Sequence, residues 1–107
     1  MTNEIKIDIG KDFSKFPGGR FITDGPFSGE KFRNEMLVPK LHEASILTVS
    51  LDNTLGYGSS FLEEAFGGMV RKGMINITEI QKKLRLESND EILKEKIWSY
   101  IKAANKS

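Results

Sequence analysis

Residues Glu4 to Ile9 alternate polar and apolar side chains, which puts Ile5, Ile7 and Ile9 on one face of a strand and leaves the other face to water. Gly10 ends that pattern. The next stretch, KDFSKFPGGRFITDGPFSG, is dense in turn residues and has room for a second short strand at Arg20 to Thr23. Phe13, Phe16, Phe21 and Phe27 fall within it, so this connection is expected to pack onto the core. Ser28 has the place of an N-cap, with Glu30 in the first turn facing the positive end of the helix dipole. Phe32, Met36, Leu37, Leu41 and Ala44 then repeat with helical spacing, interrupted by Pro39. A proline inside a helix removes a hydrogen bond and clashes one turn back, at about 3 kcal/mol. The spacing therefore predicts one helix that stops near Leu37 and a further short turn that starts at Pro39.

Ile46 to Leu51 is β-branched and apolar with small hydroxyls between, the pattern of an inner strand whose two faces are at least partly covered. Asp52-Asn53 is a turn signal leading into LGYGSSFLEEAFGG, residues 55–68. Ser60 with Glu63 three places on fits a capping box, and Phe61, Leu62, Ala65, Phe66, Met69 and Val70 make an apolar stripe. Gly67 and Gly68 each cost a helix about 1 kcal/mol relative to alanine. That cost is offset where another backbone comes too close for a side chain. Arg71, Lys72 and Gly73 supply a basic last turn and a stop. Thr78 to Gln81 predicts a short helical turn, Leu84 and Leu86 a short strand, and Ser88 to Glu91 a second capping box. The helix it opens carries Leu93, Ile97, Tyr100, Ile101 and Ala104 on one face, with Trp98 at the edge of that stripe. Strand, helix, strand, helix, strand, helix predicts a single small α/β domain over residues 1–107, a mixed, mostly parallel sheet of about four strands with helices packed on it.

Composition narrows the function more than the fold. The 107 residues are 38% hydrophobic and 29% charged, the profile of a globular domain with one modest core. Sixteen basic residues stand against fifteen acidic ones, so no concentrated basic surface is available for nucleic acid. The chain has no cysteine, which excludes disulfides and thiolate metal sites and fits a reducing compartment. Its N-terminal stretch lacks an apolar signal-peptide core, and no apolar run approaches the roughly 20 residues that cross a bilayer. A cytoplasmic chain without a membrane partner is expected. Asn76-Ile77-Thr78 matches a glycosylation sequon, which carries no weight in that setting.

The segment SLDNTLGYGSSFLEEAFGGMVRKG, with FSGEKFR upstream, resembles the bacterial STAS-like domain of unknown function, in which the glycine-serine turn, the acidic helix and the double glycine recur together. The resemblance runs from about Arg20 to Ala104 and is strongest from Leu51 to Lys72. The wider STAS relatives include anti-sigma factor antagonists, which bind histidine-kinase-like ATPases and release them when a serine at the start of the second helix is phosphorylated. The resemblance therefore implies a STAS-like fold and a non-enzymatic regulatory role in signalling. It implies a protein partner of the histidine-kinase-like ATPase class, with Ser59 in the phosphoacceptor position and Ser60 after it. Gly58 stands where the antagonists carry aspartate, and Phe61, Leu62, Glu63 and Glu64 follow where they carry small apolar residues.

Asp52, Gly56, Tyr57, Gly58, Ser59, Ser60, Glu63 and Glu64 make up the expected partner-binding or switch turn. Two readings of the serines stand side by side: Ser60 caps the helix and Ser59 completes the turn, or Ser59 accepts a phosphate. A phosphate there gains from free amides and the helix dipole, while Glu63 and Glu64 in the first turn repel it at short range. Tyr57 either folds over the core or is displayed to a partner. Asp52 lies where ligands gather in such sheets and also where turns commonly use aspartate. Arg20 and Arg33 are either surface charges or anchors for the carbonyls of the glycine-rich turns.

Other chemistries compete for the same turn. Its helix amides offer a site for a small anionic ligand or a nucleotide, although Phe61 replaces the third glycine of a dinucleotide fingerprint and no P-loop lysine follows. Neither serine has nucleophile-elbow spacing. His42, the only histidine, reads as a surface residue, and without cysteine only carboxylates remain for a metal. No catalytic residue, cofactor or metal is expected. A dedicated inhibitor or immunity protein needs only a binding surface and is equally compatible with the pattern, and nothing in it speaks to oligomeric state.

Overall fold

The structure, a computed structural model, describes residues 3–106. Strands β1 (Glu4–Asp8), β2 (Ile46–Ser50) and β3 (Leu84–Glu87) form one sheet in the order β1-β2-β3, with both pairs parallel. Parallel neighbours need crossover connections. Helix α1 (residues 29–43) joins β1 to β2, and α2 (residues 59–71) with α3 (Ile77–Lys83) joins β2 to β3. Helix α4 (Glu91–Asn105) follows β3, and α2 packs against both α1 and α4.

The period-two pattern sets the faces of the sheet. In register, Ile5, Leu47 and Leu84 form one row and Ile7, Val49 and Leu86 the next, all on the helix-covered side. Lys6, Thr48 and Arg85, then Asp8, Ser50 and Glu87, line the opposite side, where Lys6 reaches Glu87 at 2.9 Å. The order of elements follows the sequence pattern, but the sheet has three strands, all parallel, in place of about four in a mixed sheet. The missing strand is the one expected at Arg20 to Thr23, where the chain makes a single 3-10 turn, Ile22–Asp24. Its backbone is already committed: the carbonyls of Gly19 and Arg20 accept from the amides of Gly29 and Glu30 at 3.0 Å each. They serve first-turn amides of α1 that have no partner within the helix.

Pro39 does not end the first helix. Residues 33–37 widen into a π-helical turn in which the Val38 amide bonds to the carbonyl of Arg33, five residues back. The wider turn accommodates the proline ring and its missing donor, so α1 continues to Glu43. Helix α2 contains a similar turn at Glu63–Gly67, with the Gly68 amide on the Glu63 carbonyl. Two caps also differ from the expected residues. Asn76 caps α3 and Asp90 caps α4, each accepting from the amide three residues on, because Thr78 already lies inside α3 and the Ser88 hydroxyl is turned to Asp52. Of the four early phenylalanines, Phe13 packs edge-on against Phe27 and Phe32, while Phe16 and Phe21 stay outside the core.

Glycine sets the spacing of the helices. A Cβ on Gly29 would fall 2.4 Å from the Phe61 carbonyl oxygen, and one on Gly67 would fall 3.2 Å from the Tyr100 carbonyl oxygen of α4. The backbones of α1 and α4 thus come close to α2 from two sides. Gly29→Ala is expected to lower the stability measured by urea unfolding by about 1–3 kcal/mol through overpacking. Gly18→Ala, in a loop where a Cβ meets nothing within 4 Å, serves as the control and changes it by less than about 0.5 kcal/mol.

Candidate functional site

After β2 the chain turns through residues 51–58 at the carboxyl end of the sheet, the region singled out from the sequence. Asp52 is exposed, but its oxygens are in use: Oδ1 accepts from the Ser88 hydroxyl at 2.5 Å and Oδ2 from the Asn89 amide at 2.8 Å. These donors, the Ser88 hydroxyl foremost, hold its carboxyl below the usual carboxylate range. Asp52 therefore ties the β2-α2 turn to the β3-α4 loop. Asn53 does the same toward β1, its Nδ2 donating to Asp8 at 2.5 Å. Gly56 has φ +137°, a backbone that side-chain-bearing residues avoid.

Tyr57 folds over the core. Its hydroxyl donates to the Leu51 carbonyl at 2.7 Å, closing the turn on itself, and its ring stacks on Phe61 with centroids 6.0 Å apart. Burial pushes the phenol up to about 12. Leu55 and Phe16 take the opposite course, with 78% and 69% of their surfaces exposed. Their segments run side by side, since the Leu55 amide bonds to the carbonyl of Lys15, the residue before Phe16, at 3.0 Å.

Helix α2 begins at Ser59, with Gly58 as an N-cap that offers no side-chain bond. Both serines lie in the first turn and are exposed. The capping box expected of Ser60 and Glu63 does not form. The cap position falls two residues earlier, and the Glu63 carboxylate is drawn away by arginines.

Those arginines build the strongest electrostatic feature of the fold. Arg33 and Glu64 are both 2% exposed and meet at 2.5 Å, with a further bond from Arg33 Nη1 to the Glu64 carbonyl at 3.2 Å. Arg20 reaches Glu63 at 2.5 Å and Glu64 at 3.1 Å, while Arg71 reaches Glu63 at 2.6 Å and Glu64 at 3.3 Å. Burial works against the charge on Glu63, but hydrogen bonds from Arg71 and Arg20 outweigh it and hold its carboxyl below the ordinary range. The bond to Glu63 likewise raises both arginines. Gly68 supplies the room, since a Cβ there would lie 2.6 Å from Arg33 Nη1. Glu64 is thus an internal residue and not part of an exposed turn, and Arg33 is an internal anchor and not a surface charge. Sequence reasoning missed the set because the arginines lie far apart in the chain. The available signal was two adjacent glutamates followed by a double glycine, which leaves space for a buried counter-charge.

Among the described residues no group of three or more His, Asp or Glu is placed to hold a metal, and no helix is long and apolar enough to cross a membrane. His42 lies at the surface with Nε2 3.1 Å from the Met74 carbonyl.

A family model described as a STAS-like domain of unknown function matches residues 28–94. The chain belongs to that family. The match begins at the N-cap of α1 and takes in the whole β2-turn-α2 unit and every member of the charge network except Arg20. Comparison with curated proteins and with solved structures gives no match. The family's description gives no function of its own, and its STAS-like character suggests a regulatory or interaction role in general terms.

Two measurements probe the site. Glu64→Gln strands a buried guanidinium and is expected to cost about 3–5 kcal/mol in urea unfolding, whereas the apolar pair Arg33→Met with Glu64→Leu costs much less. Tyr57→Phe loses one hydrogen bond, about 1 kcal/mol at neutral pH. Because folding raises the phenol from 10.0 to about 12, its stabilisation is present below pH 10 and lost as pH climbs toward 12. The stability gap between wild type and Tyr57→Phe should therefore narrow across that range.

Proposed function

We propose that this STAS-like domain is a non-enzymatic interaction module that binds a protein partner through the Gly56 to Ser60 turn and the apolar pair Phe16 and Leu55 beside it. The observation that carries this reading is the exposure of Leu55 and Phe16 on a well-fixed base, next to two free hydroxyls. Large apolar side chains displayed together at a surface favour association over solvation. Tyr57 belongs to the base of this surface and Asp52 to its tether, while Ser59 and Ser60 face the partner.

The wider STAS resemblance gives the partner class, a histidine-kinase-like ATPase, and makes Ser59 the switch residue. The charge network favours such a switch. Three arginines meet the two glutamates of α2, so a phosphate on Ser59 faces a cluster of net positive charge and not two bare carboxylates. Ser59 also shares a helix face with Glu63, four residues on, which holds Arg20. Two added negative charges there alter a partner's contact with the turn without touching the core.

The test is calorimetric titration of the protein against histidine-kinase-like ATPases encoded in the same genome. Wild type should bind, Leu55→Ser with Phe16→Ser should weaken binding at least about tenfold, and Ser59→Asp should abolish or strongly weaken it. Binding unaffected by the apolar substitutions would remove the proposed surface, and no binding by any form would remove the ATPase. A saturable rise in melting temperature with nucleotide or inorganic phosphate would favour an anion site at the turn instead.

A further inference from the structure

Among the described residues, strand β3 is an edge strand with no strand on its outer side. The Leu51 amide bonds to the Glu87 carbonyl at 3.0 Å, so Arg85 and Glu87 turn their backbone groups toward β2. By alternation Leu84 and Leu86 turn theirs outward. Beside this edge a groove of about 690 Å³ runs between β3 and α4, lined by Leu84, Arg85 and Leu86 and by Glu95, Trp98 and Lys102. Neither proline nor glycine interrupts β3, and what guards this short edge is its two charges, Arg85 and Glu87, whose opposite signs bar only those pairings that set like charges together.

We infer that this edge and groove receive a second copy of the chain. The two β3 strands pair antiparallel about a two-fold axis at Leu86, and the two sheets continue as one. The strand is self-complementary in that register. With Leu86 opposite the partner's Leu86, Arg85 faces the partner's Glu87 and Glu87 faces the partner's Arg85. All the matched side chains share a face, the leucines toward the helices and the charges away from them. Centring the pair on Arg85 would set like charges opposite each other. The outward amide and carbonyl of Leu86 make it the hydrogen-bonded pair at the axis.

Helix α4 obeys the same symmetry. Its groove side carries Glu91, Lys94 and Glu95 near the start, Trp98 in the middle and Lys102 near the end, and Lys94 is paired with Glu91 at 2.8 Å, which leaves Glu95 without a cation among the described residues. Antiparallel to its copy, Glu95 of each helix comes toward Lys102 of the other, with tryptophan, a residue interfaces favour, between them. In the single chain, Arg85 Nη1 donates to the carbonyls of Lys82 and Leu84 at 3.2 and 3.1 Å. The amide of the partner's Ser88 replaces it on Leu84, which frees the guanidinium for the partner's Glu87. Glu87 is exposed and holds Lys6 from its own chain, leaving lone pairs for a second donor.

Sedimentation equilibrium of the full chain from micromolar to millimolar concentration tests this. The expected mass is twice the 12.1 kDa of one chain, falling to one on dilution. Arg85→Glu and Glu87→Arg each place two like-charge contacts at the axis and should raise the dissociation constant at least about tenfold. Mixing the two variants makes every contact complementary again and should restore the dimer. Trp98 is the single tryptophan, so its emission should shift to the blue with rising concentration in wild type and not in Arg85→Glu. Far-UV circular dichroism establishes that each variant is folded. A wild-type monomer at every concentration overturns the proposal. So does a dimer that Arg85→Glu leaves intact, or variants that do not recover on mixing.

Discussion

The buried contact between Arg33 and Glu64 is the constraint around which the helical layer is arranged. A guanidinium and a carboxylate removed from water must be paired and their remaining hydrogen-bonding capacity met. Here the demand is met by the Glu64 carbonyl, by Asn34 and by two further arginines, and among the described residues no buried side-chain polar atom is left without a partner. The local cost appears in the backbone. In α2 a pair of glycines stands where a side chain would strike Arg33 or Glu63. Helix propensity is given up at those positions to keep one ion pair dry.

That arrangement has a consequence for the surface one turn away. Because α2 is held between α1 and α4 by glycine contacts and charge, its first turn is presented from a fixed base. The residues of the turn divide accordingly. Tyr57, Asp52 and Asn53 bond inward or sideways and define its shape, while Leu55, Ser59 and Ser60 are left to solvent. A surface of this kind suits recognition by a partner because little conformational freedom remains to be lost on binding.

The sheet is unusual in a complementary way. Parallel sheets are commonly covered on both faces, yet these helices lie on one face and the other is lined by Lys6, Thr48, Arg85 and Glu87. Polar side chains and a cross-strand ion pair take the place of a second helical layer. The exposed sheet end therefore ends in a charged strand rather than an apolar one, and any association along it is governed by which charges come opposite each other.

Periodicity and the turn residues between repeats determined the order of elements, the inward face of each strand and the stripe on α4, because each is a local pattern repeated over several residues, while the family was legible through one glycine-serine motif in its own right. The close approach at Gly67 was legible for the same reason: a costly residue inside a helix has to be explained by a neighbour. The tertiary structure decided the rest. Pro39 lies within a helix because a π-helical turn makes room for it, and Arg20 to Thr23 is no strand because the Arg20 carbonyl is spent on the start of α1 and those of Phe21 and Ile22 on a 3-10 turn. Glu64 is inside because Arg33, thirty-one residues away in sequence, is folded beside it. Spacing along a chain reports which face a residue shares with its near neighbours, whereas a buried charge depends on what a distant segment brings to meet it.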